Sequence, residues 1–441
     1  MLQRKLINSL SPTNKVIHSS SNAIFALIEC SYLCLFIFYA FASDMPVVLF
    51  GFIAFLVMVT SALLFPFVDF LISRVNTLFF GTYHAPLILS LFGIAIFNAI
   101  FWCLGYNGWS GLFTVLLCLL CLFAVQICLI VNRLCLYAIG NRLCFEKKDS
   151  RQFYLFKNIF FFIGFAACVV TVSFMIGDLE IYNIGFVLSI IVLVVGLIDW
   201  LNTYQYLPVI KLKDAGYIVK GKEKLKDIYK DFINSIQLKR QGRIFFAFFL
   251  NITFVALFLI TVFVYSNLFI SMSMTTLCIS TLVAMLTSGI SLLFFRKVLT
   301  FYSELKTAKL NFITAIIFIV IYCLFFSLEM SGVIAVSNLV FCLIMAVFGV
   351  FLGANLASLS VLYVGKIDTS TPYKILTIGY LFSIGLAIFI SSMLTALLIN
   401  AKTKLGQDAS AIVYLIICAS IFLSSSLIFL LNVKKYKNIV D

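Results

Sequence analysis

About twelve stretches of roughly twenty apolar residues each, almost free of charge, follow one another along this chain. They fall at 22–42, 46–68, 86–105, 110–131, 158–177 and 183–203, and then at 244–265, 272–295, 311–328, 332–352, 375–398 and 410–433. A stretch of that length crosses the hydrocarbon core of a bilayer as an α-helix, which satisfies its own backbone N–H and C=O groups. The runs are continuous rather than alternating, and that excludes a transmembrane β-barrel. Charged residues make up 11% of the chain and mean hydropathy is +1.16, so a charged, water-facing surface cannot cover it. The expected fold class is an all-α, polytopic membrane protein with about 12 transmembrane helices in two six-helix halves.

The basic residues orient the runs. With the N-terminus inside, all but Lys402 and Lys404 of the 31 Lys and Arg residues fall in inner loops and tails. One missed or invented helix would invert half of that pattern. The outer loops are short and mildly acidic, with Asp44, Asp178, Glu180 and Glu329. The net charge of +14 therefore faces the anionic inner leaflet, and no nucleic-acid partner is needed to explain it. The expected organisation is a cytoplasmic N-tail (1–21), a first half (22–203), a basic cytoplasmic linker (204–243), a second half (244–433) and a cytoplasmic C-tail (434–441) in an inner or plasma membrane. The N-tail is polar and basic from its start, unlike a cleavable signal peptide. In the linker, Leu225, Ile228, Phe232 and Ile236 are spaced for an amphipathic helix on the inner membrane face. A solvated basic linker fits the same residues.

Charges inside apolar runs are costly and usually face a cavity. Glu29, about two turns into the first run, is the clearest acid, costing ~3 kcal/mol at mid-depth if unpaired and lipid-facing. It reads as a proton-titrating or substrate-binding carboxylate, or as a hydrogen-bonded brace between helices. Arg133 ends the fourth run. In one register it anchors at the interface, and in another it enters a cavity and could face Glu29. Asp199, near the inner end of the sixth run, is a helix-end gate or cap, or a solvated interfacial acid. Asn98, Gln126, Asn251, Asn338 and Asn355 each need a hydrogen-bond partner away from water, from substrate or from another helix. Cys118 and Cys121 form C-x-x-C without nearby His or carboxylate, so they read as small packing residues and not as a metal site. The chain has two histidines, no P-loop and no plausible Ser/His/Asp set. Neither an enzyme nor a resident cofactor is expected.

Two sets of six helices around a basic linker, with short motifs between them, resemble the major facilitator superfamily. That family reads approximately G-x-L-A-D-R-x-G-R-R between its second and third helices. Here the stretch is FPFVDFLISRVNTLFFG, with Asp69 on the aspartate and Arg74 on a basic position. The spacing is closer to the D-R-x-L-G-R-x-x-T form of proton-coupled oligopeptide transporters, with Ser73 in place of the glycine and Thr77 on the threonine. The stretches FEKKDSRQFYLFKNIFFFIG and VGKIDTSTPYKILTIGYLFSIG resemble the family's corresponding inner loops. The second-half copy of the motif, near FFRKVLTFYSELKTAK, keeps the charge and loses the pattern. The first helix has one glutamate and lacks the E-x-x-E-R of the oligopeptide branch.

The resemblance implies a secondary active transporter. A small solute would bind between the halves, coupled to a proton or another ion. Asp69 and Arg74 would be inner gating residues, or else a plain loop acid and base. Asn251 and Asn355 lie on the seventh and tenth runs, which commonly line the cavity in this superfamily, and join Glu29 and Arg133 as substrate or proton-binding candidates. So few core charges favour a neutral or singly charged solute over a polyanion. The alternatives are a lipid-linked saccharide flippase or exporter, and a non-transporting scaffold or receptor derived from a transporter.

Overall fold

The structure is a computed structural model that describes residues 12–42, 46–75, 79–104, 112–143, 147–175, 181–208, 225–226, 229–230, 233–234, 245–246, 249–260, 273–301, 304–330, 338–364 and 371–405. Among them the regular elements are all helices: α1 (Pro12–Ser20), α2 (Asn22–Ala42), α3 (Val47–Arg74), α4 (Gly81–Leu104), α5 (Leu112–Leu143), α6 (Lys147–Met175) and α7 (Ile181–Tyr204). They continue with α8 (Phe249–Ile260), α9 (Met274–Phe301), α10 (Glu304–Met330), α11 (Asn338–Val364) and α12 (Thr371–Leu405). Seven of the described helices are long and apolar enough to cross a membrane. The chain is a polytopic, all-α membrane protein. The last apolar run (410–433), the C-tail, Thr77, Ile228, Phe232 and Ile236 lie outside the described residues.

Helix ends depart from the apolar runs where polar residues find protein partners. Asp69 and Arg74 belong to the last turns of α3 and not to a loop. Arg133 is interior to α5, which continues to Leu143. Residues 12–20 are not a plain tail. Pro12 starts α1 at a position where a missing N–H costs nothing, and α1 packs against α6 and α7 with Lys15, His18 and Ser19 buried. Gly81 opens α4 at φ 67°, a left-handed conformation that a side chain would strain. In the linker, residues 225–226, 229–230 and 233–234 are helical, and the Tyr229 hydroxyl donates to the Leu63 carbonyl of α3 at 3.0 Å.

In lipid, helices gain little from hiding apolar surface from one another, so close backbone approach through small residues holds them together. Among the first helices, α2 lies on α6, and α4 packs between α5 and α7. Farther along the chain, α11 packs against α9 and α10. Among the described residues, the most extensive packing of the first set on the second is that of α3 with α12 and of α6 with α9. Gly51 of α3 sits against Ser392 of α12, and Gly164 of α6 sits against the Ala23 backbone of α2. On α11, Gly349 and Gly353 are four apart and so share one face. Both rest on α9, against Ala284 and Thr287 and against Ser288 and Ser291. The Ser291 hydroxyl crosses that seam to donate to the Val350 carbonyl at 3.0 Å.

A methyl group at Gly349 would collide with backbone, which cannot give way as a flexible side chain can. Gly349→Ala is expected to cost roughly 1–3 kcal/mol in thermal unfolding of the detergent-solubilised protein. Gly289→Ala is the control, because a Cβ there meets nothing within 4 Å. Equal destabilisation by the two would rule out the close-approach account.

Candidate substrate and gating site

Three helices bring polar groups to one level. Glu29 lies seven residues into α2, about 10 Å along it. Tyr380 lies nine residues into α12, about 13 Å along, and Arg133 is ten residues, about 15 Å, from the Leu143 end of α5. The Arg133 guanidinium donates from Nη2 to Glu29 Oε1, and the Tyr380 hydroxyl donates to Glu29 Oε2. Both carboxylate oxygens are therefore engaged, one by each of two other helices. The guanidinium also lies 4.6 Å from the Phe25 ring centroid and 4.9 Å from that of Tyr380. The side chains are 12% exposed for Arg133 and 6% for Glu29. In such a place a charged hydrogen bond is strong and an unpaired charge is costly. Of the two registers open to Arg133, the structure shows the one that reaches Glu29.

Sequence reasoning missed Tyr380. It is one of 19 tyrosines, and although it lies in the stretch VGKIDTSTPYKILTIGYLFSIG, nothing there marks it out from its neighbours, so only its placement gives it away. Its hydroxyl ties α12 to α2. Tyr380→Phe keeps the ring over Arg133 and removes one hydrogen bond to a charged acceptor, expected to cost about 1.5–3 kcal/mol. A thermal melt matching wild type would show that the hydroxyl holds nothing.

The asparagines divide. Asn98 on α4 is fully used. Its amide donates to the Ser189 hydroxyl (2.9 Å) and the Gly185 carbonyl (3.2 Å) on α7, and its oxygen accepts from Tyr32 (3.2 Å) and Trp102 (3.3 Å). That is interhelical bonding. Asn355 on α11 is fully buried, and neither of its amide atoms meets a protein partner among the described residues. Asn251 on α8 is fully buried, and Gln126 on α5 nearly so. Asn338 is exposed in the first turn of α11 and falls outside the core.

Asp199 is not a solvated interfacial acid: it is 1% exposed. Its Oδ1 lies 3.1 Å from His18 Nδ1, and its Oδ2 accepts from the Ser21 hydroxyl. His18 Nε2 lies 3.2 Å from the Leu136 carbonyl of α5. Both ring nitrogens thus face acceptors, and the imidazolium form uses both as donors. Nearby, the Asn14 amide donates to the Tyr206 hydroxyl. Burial pushes the Tyr206 phenol above its ordinary range, and the Asn14 hydrogen bond acts the other way. Through these contacts α1 fastens α5 to α7. Of the gating candidates in α3, Asp69 is half-buried, while Arg74 is exposed with its guanidinium 4.1 Å over the ring of Phe70.

Among the described residues, no three His, Cys, Asp or Glu side chains are grouped to hold a metal. Cys118 and Cys121 are buried free thiols.

No protein-family model and no curated protein matches the sequence. Solved structures do match. The nucleoside transporter NupG is 16% identical, over 94% of this chain and 98% of that one, with a TM-score of 0.60. A point mutant of that transporter is 14% identical over 95% and 99%, also at 0.60. The human organic anion transporter MFSD10 (TETRAN) is 14% identical over 94% and 100%, at 0.57. At these identities the likeness speaks to the fold, and it lends nothing to the oligopeptide-transporter register of the Asp69 motif.

Proposed function

From the major facilitator fold that these likenesses establish, we propose that the chain is a secondary active transporter of a small neutral or singly charged solute, driven by a proton gradient. It works by alternating access between 22–203 and 244–433, in an inner or plasma membrane, with both termini cytoplasmic. The observation that carries this reading is the Glu29–Arg133–Tyr380 cluster. Its Tyr380–Glu29 hydrogen bond joins α12 to α2 across the halves, on the same buried carboxylate that Arg133 of α5 pairs with at similar depth. Such a link has to break when halves rock apart, and a bound solute can replace its partners. The contacts of α3 with α12 and of α6 with α9 supply the seams along which the halves would slide. Glu29, Arg133, Asn251 and Asn355 are the proposed substrate and proton residues, and Asp69, Arg74 and Asp199 the proposed gating residues. Bulky pyrophosphate lipids would need several buried cations at the centre, and this cluster offers Arg133.

The test is uptake into proteoliposomes under an imposed pH gradient. The pooled library holds amino acids, small peptides, sugars, nucleosides and organic anions, the last two prompted by the named neighbours. Accumulation of a solute that a protonophore collapses supports the reading. The reverse result is no gradient-driven uptake and no counterflow of any library member, with a stable, correctly reconstituted protein. That would transfer the chain to the flippase or scaffold class.

A further inference from the structure

The two charges of the buried pair are not equivalent. Arginine stays protonated at any accessible pH, whereas a carboxylate can be neutralised by one proton. Suppose a cationic solute took Arg133's place on Glu29. Arg133 would then be left as an unpaired, nearly buried cation with no means of discharging itself. Suppose instead that an anion took Glu29's place on Arg133. The freed Glu29 accepts a proton and becomes neutral, and no buried charge is left uncompensated. Tyr380 can stay bonded to it, because a phenol accepts as well as donates. The rings of Phe25 and Tyr380 lie over the guanidinium, 4.6 and 4.9 Å from their centroids. Its in-plane N–H edge is where a carboxylate binds, and Glu29 already binds there through Oε1.

Resting on the transport reading, we propose that the solute is an organic monoanion whose carboxylate replaces Glu29 on Arg133 as Glu29 takes up one proton. The step balances. One anion and one proton enter together, the Arg133–Glu29 pair becomes an Arg133–solute pair plus a neutral acid, and the charge of the site is unchanged. Transport is therefore electroneutral. A dianion would leave one charge over, since the cluster holds one guanidinium.

Among the described side chains, the other ionisable groups on helices packed against α2 have partners of their own or lie toward helix ends. On α7, Asp199 is bound by His18 and Ser21 of the α1 segment, where Lys15 is also buried. Asp69 and Arg74 sit in the last two turns of α3, and α6 buries the thiol of Cys168 and carries Lys157 5.5 Å from the ring of Tyr137. Facing Glu29 from α5 and α12 are Arg133 and Tyr380.

The experiment uses the full-length protein in proteoliposomes with an inward proton gradient. Its probes are three membrane-impermeant or slowly permeant monoanions (lactate, shikimate and p-aminohippurate), with uridine as the neutral probe and choline as the cation. At least one monoanion is expected to accumulate, at a rate unmoved by a valinomycin-clamped potential, while uridine and choline do not. In Glu29→Gln, accumulation should fall to the equilibrium level while anion counterflow persists, because the amide frees Arg133 but carries no proton. Persisting counterflow also shows that this variant is folded. Uridine or choline accumulating without any of the anions overturns the monoanion assignment and leaves transport standing. Gradient-driven anion uptake that survives Glu29→Gln, or that responds to the clamped potential, overturns the exchange at Glu29. Accumulation of none of the probes overturns the monoanion assignment; the transport reading beneath it falls only if the pooled library also shows neither gradient-driven uptake nor counterflow.

Discussion

Arg133→Gln is expected to destabilise the protein by about 3–5 kcal/mol and to abolish transport. The substitution takes the charged partner from a nearly buried Glu29; the full loss applies where that carboxylate stays ionised, and it should shrink at acid pH, where the carboxyl takes up a proton. The penalty belongs to the stranded carboxylate and not to the pair itself, since replacing both members of a buried ion pair is often nearly neutral. The double variant Glu29→Gln, Arg133→Gln should therefore recover most of the lost stability while remaining inactive. Thermal unfolding of the four proteins in one detergent gives the cycle directly. If the two single effects simply add, the Glu29–Arg133 contact is absent in solution. Arg133→Lys separates charge from shape. A lysine keeps the charge but has no planar fork to lie under the rings and meet a carboxylate edge-on. Stability should largely return, and solute affinity should not.

The second large effect is expected one turn farther along α5, where His18 bridges the Leu136 carbonyl and Asp199 of α7. Asp199→Ala removes the acceptor of both His18 Nδ1 and the Ser21 hydroxyl. Hydrogen bonds to a charged group contribute about 1.5–3 kcal/mol each, and the stranded His18 would be left 1% exposed beside a carbonyl. A loss of roughly 3 kcal/mol or more follows, and it should appear as release of α1 rather than global unfolding. Lys15 reports on this. It is 5% exposed in the docked helix, so tryptic cleavage after Lys15 should be slow in wild type and fast in Asp199→Ala. The His18→Ala, Asp199→Ala pair should be no worse than Asp199→Ala alone, because the two residues act as one contact. Slow cleavage in Asp199→Ala would mean that α1 is held by its apolar contacts with α6 and α7, and that the His18–Asp199 bond is incidental.

These sites differ in how far they were legible before the structure. Glu29 announced itself, because an acid in an apolar run is locally improbable. Arg133 was half-legible: the length of the apolar stretch allowed two registers, and only its partner could choose between them. Asp199 was open to two readings, a helix-end gate or cap and a solvated interfacial acid, since nothing near it in sequence reveals His18, 181 residues earlier. Asp69 and Arg74 were assigned to a loop because charge was taken to end a helix. The ladder of α3 continues through them, since hydropathy does not set where backbone hydrogen bonding stops.

What the sequence determined by itself is the solvent and the kind of element. Twenty consecutive apolar residues state both at once, because a helix satisfies its backbone within its own segment and hydropathy is a sum over neighbours. What only the tertiary structure decided is which polar groups meet. Glu29 and Arg133 are 104 residues apart, and Glu29 and Tyr380 are 351 apart. Whether such residues touch depends on how each helix is rotated and how closely it is packed. That is fixed by contacts such as Gly164 on Ala23 and Gly51 on Ser392, whose effect is spread over whole interfaces and is written in no single stretch of the chain.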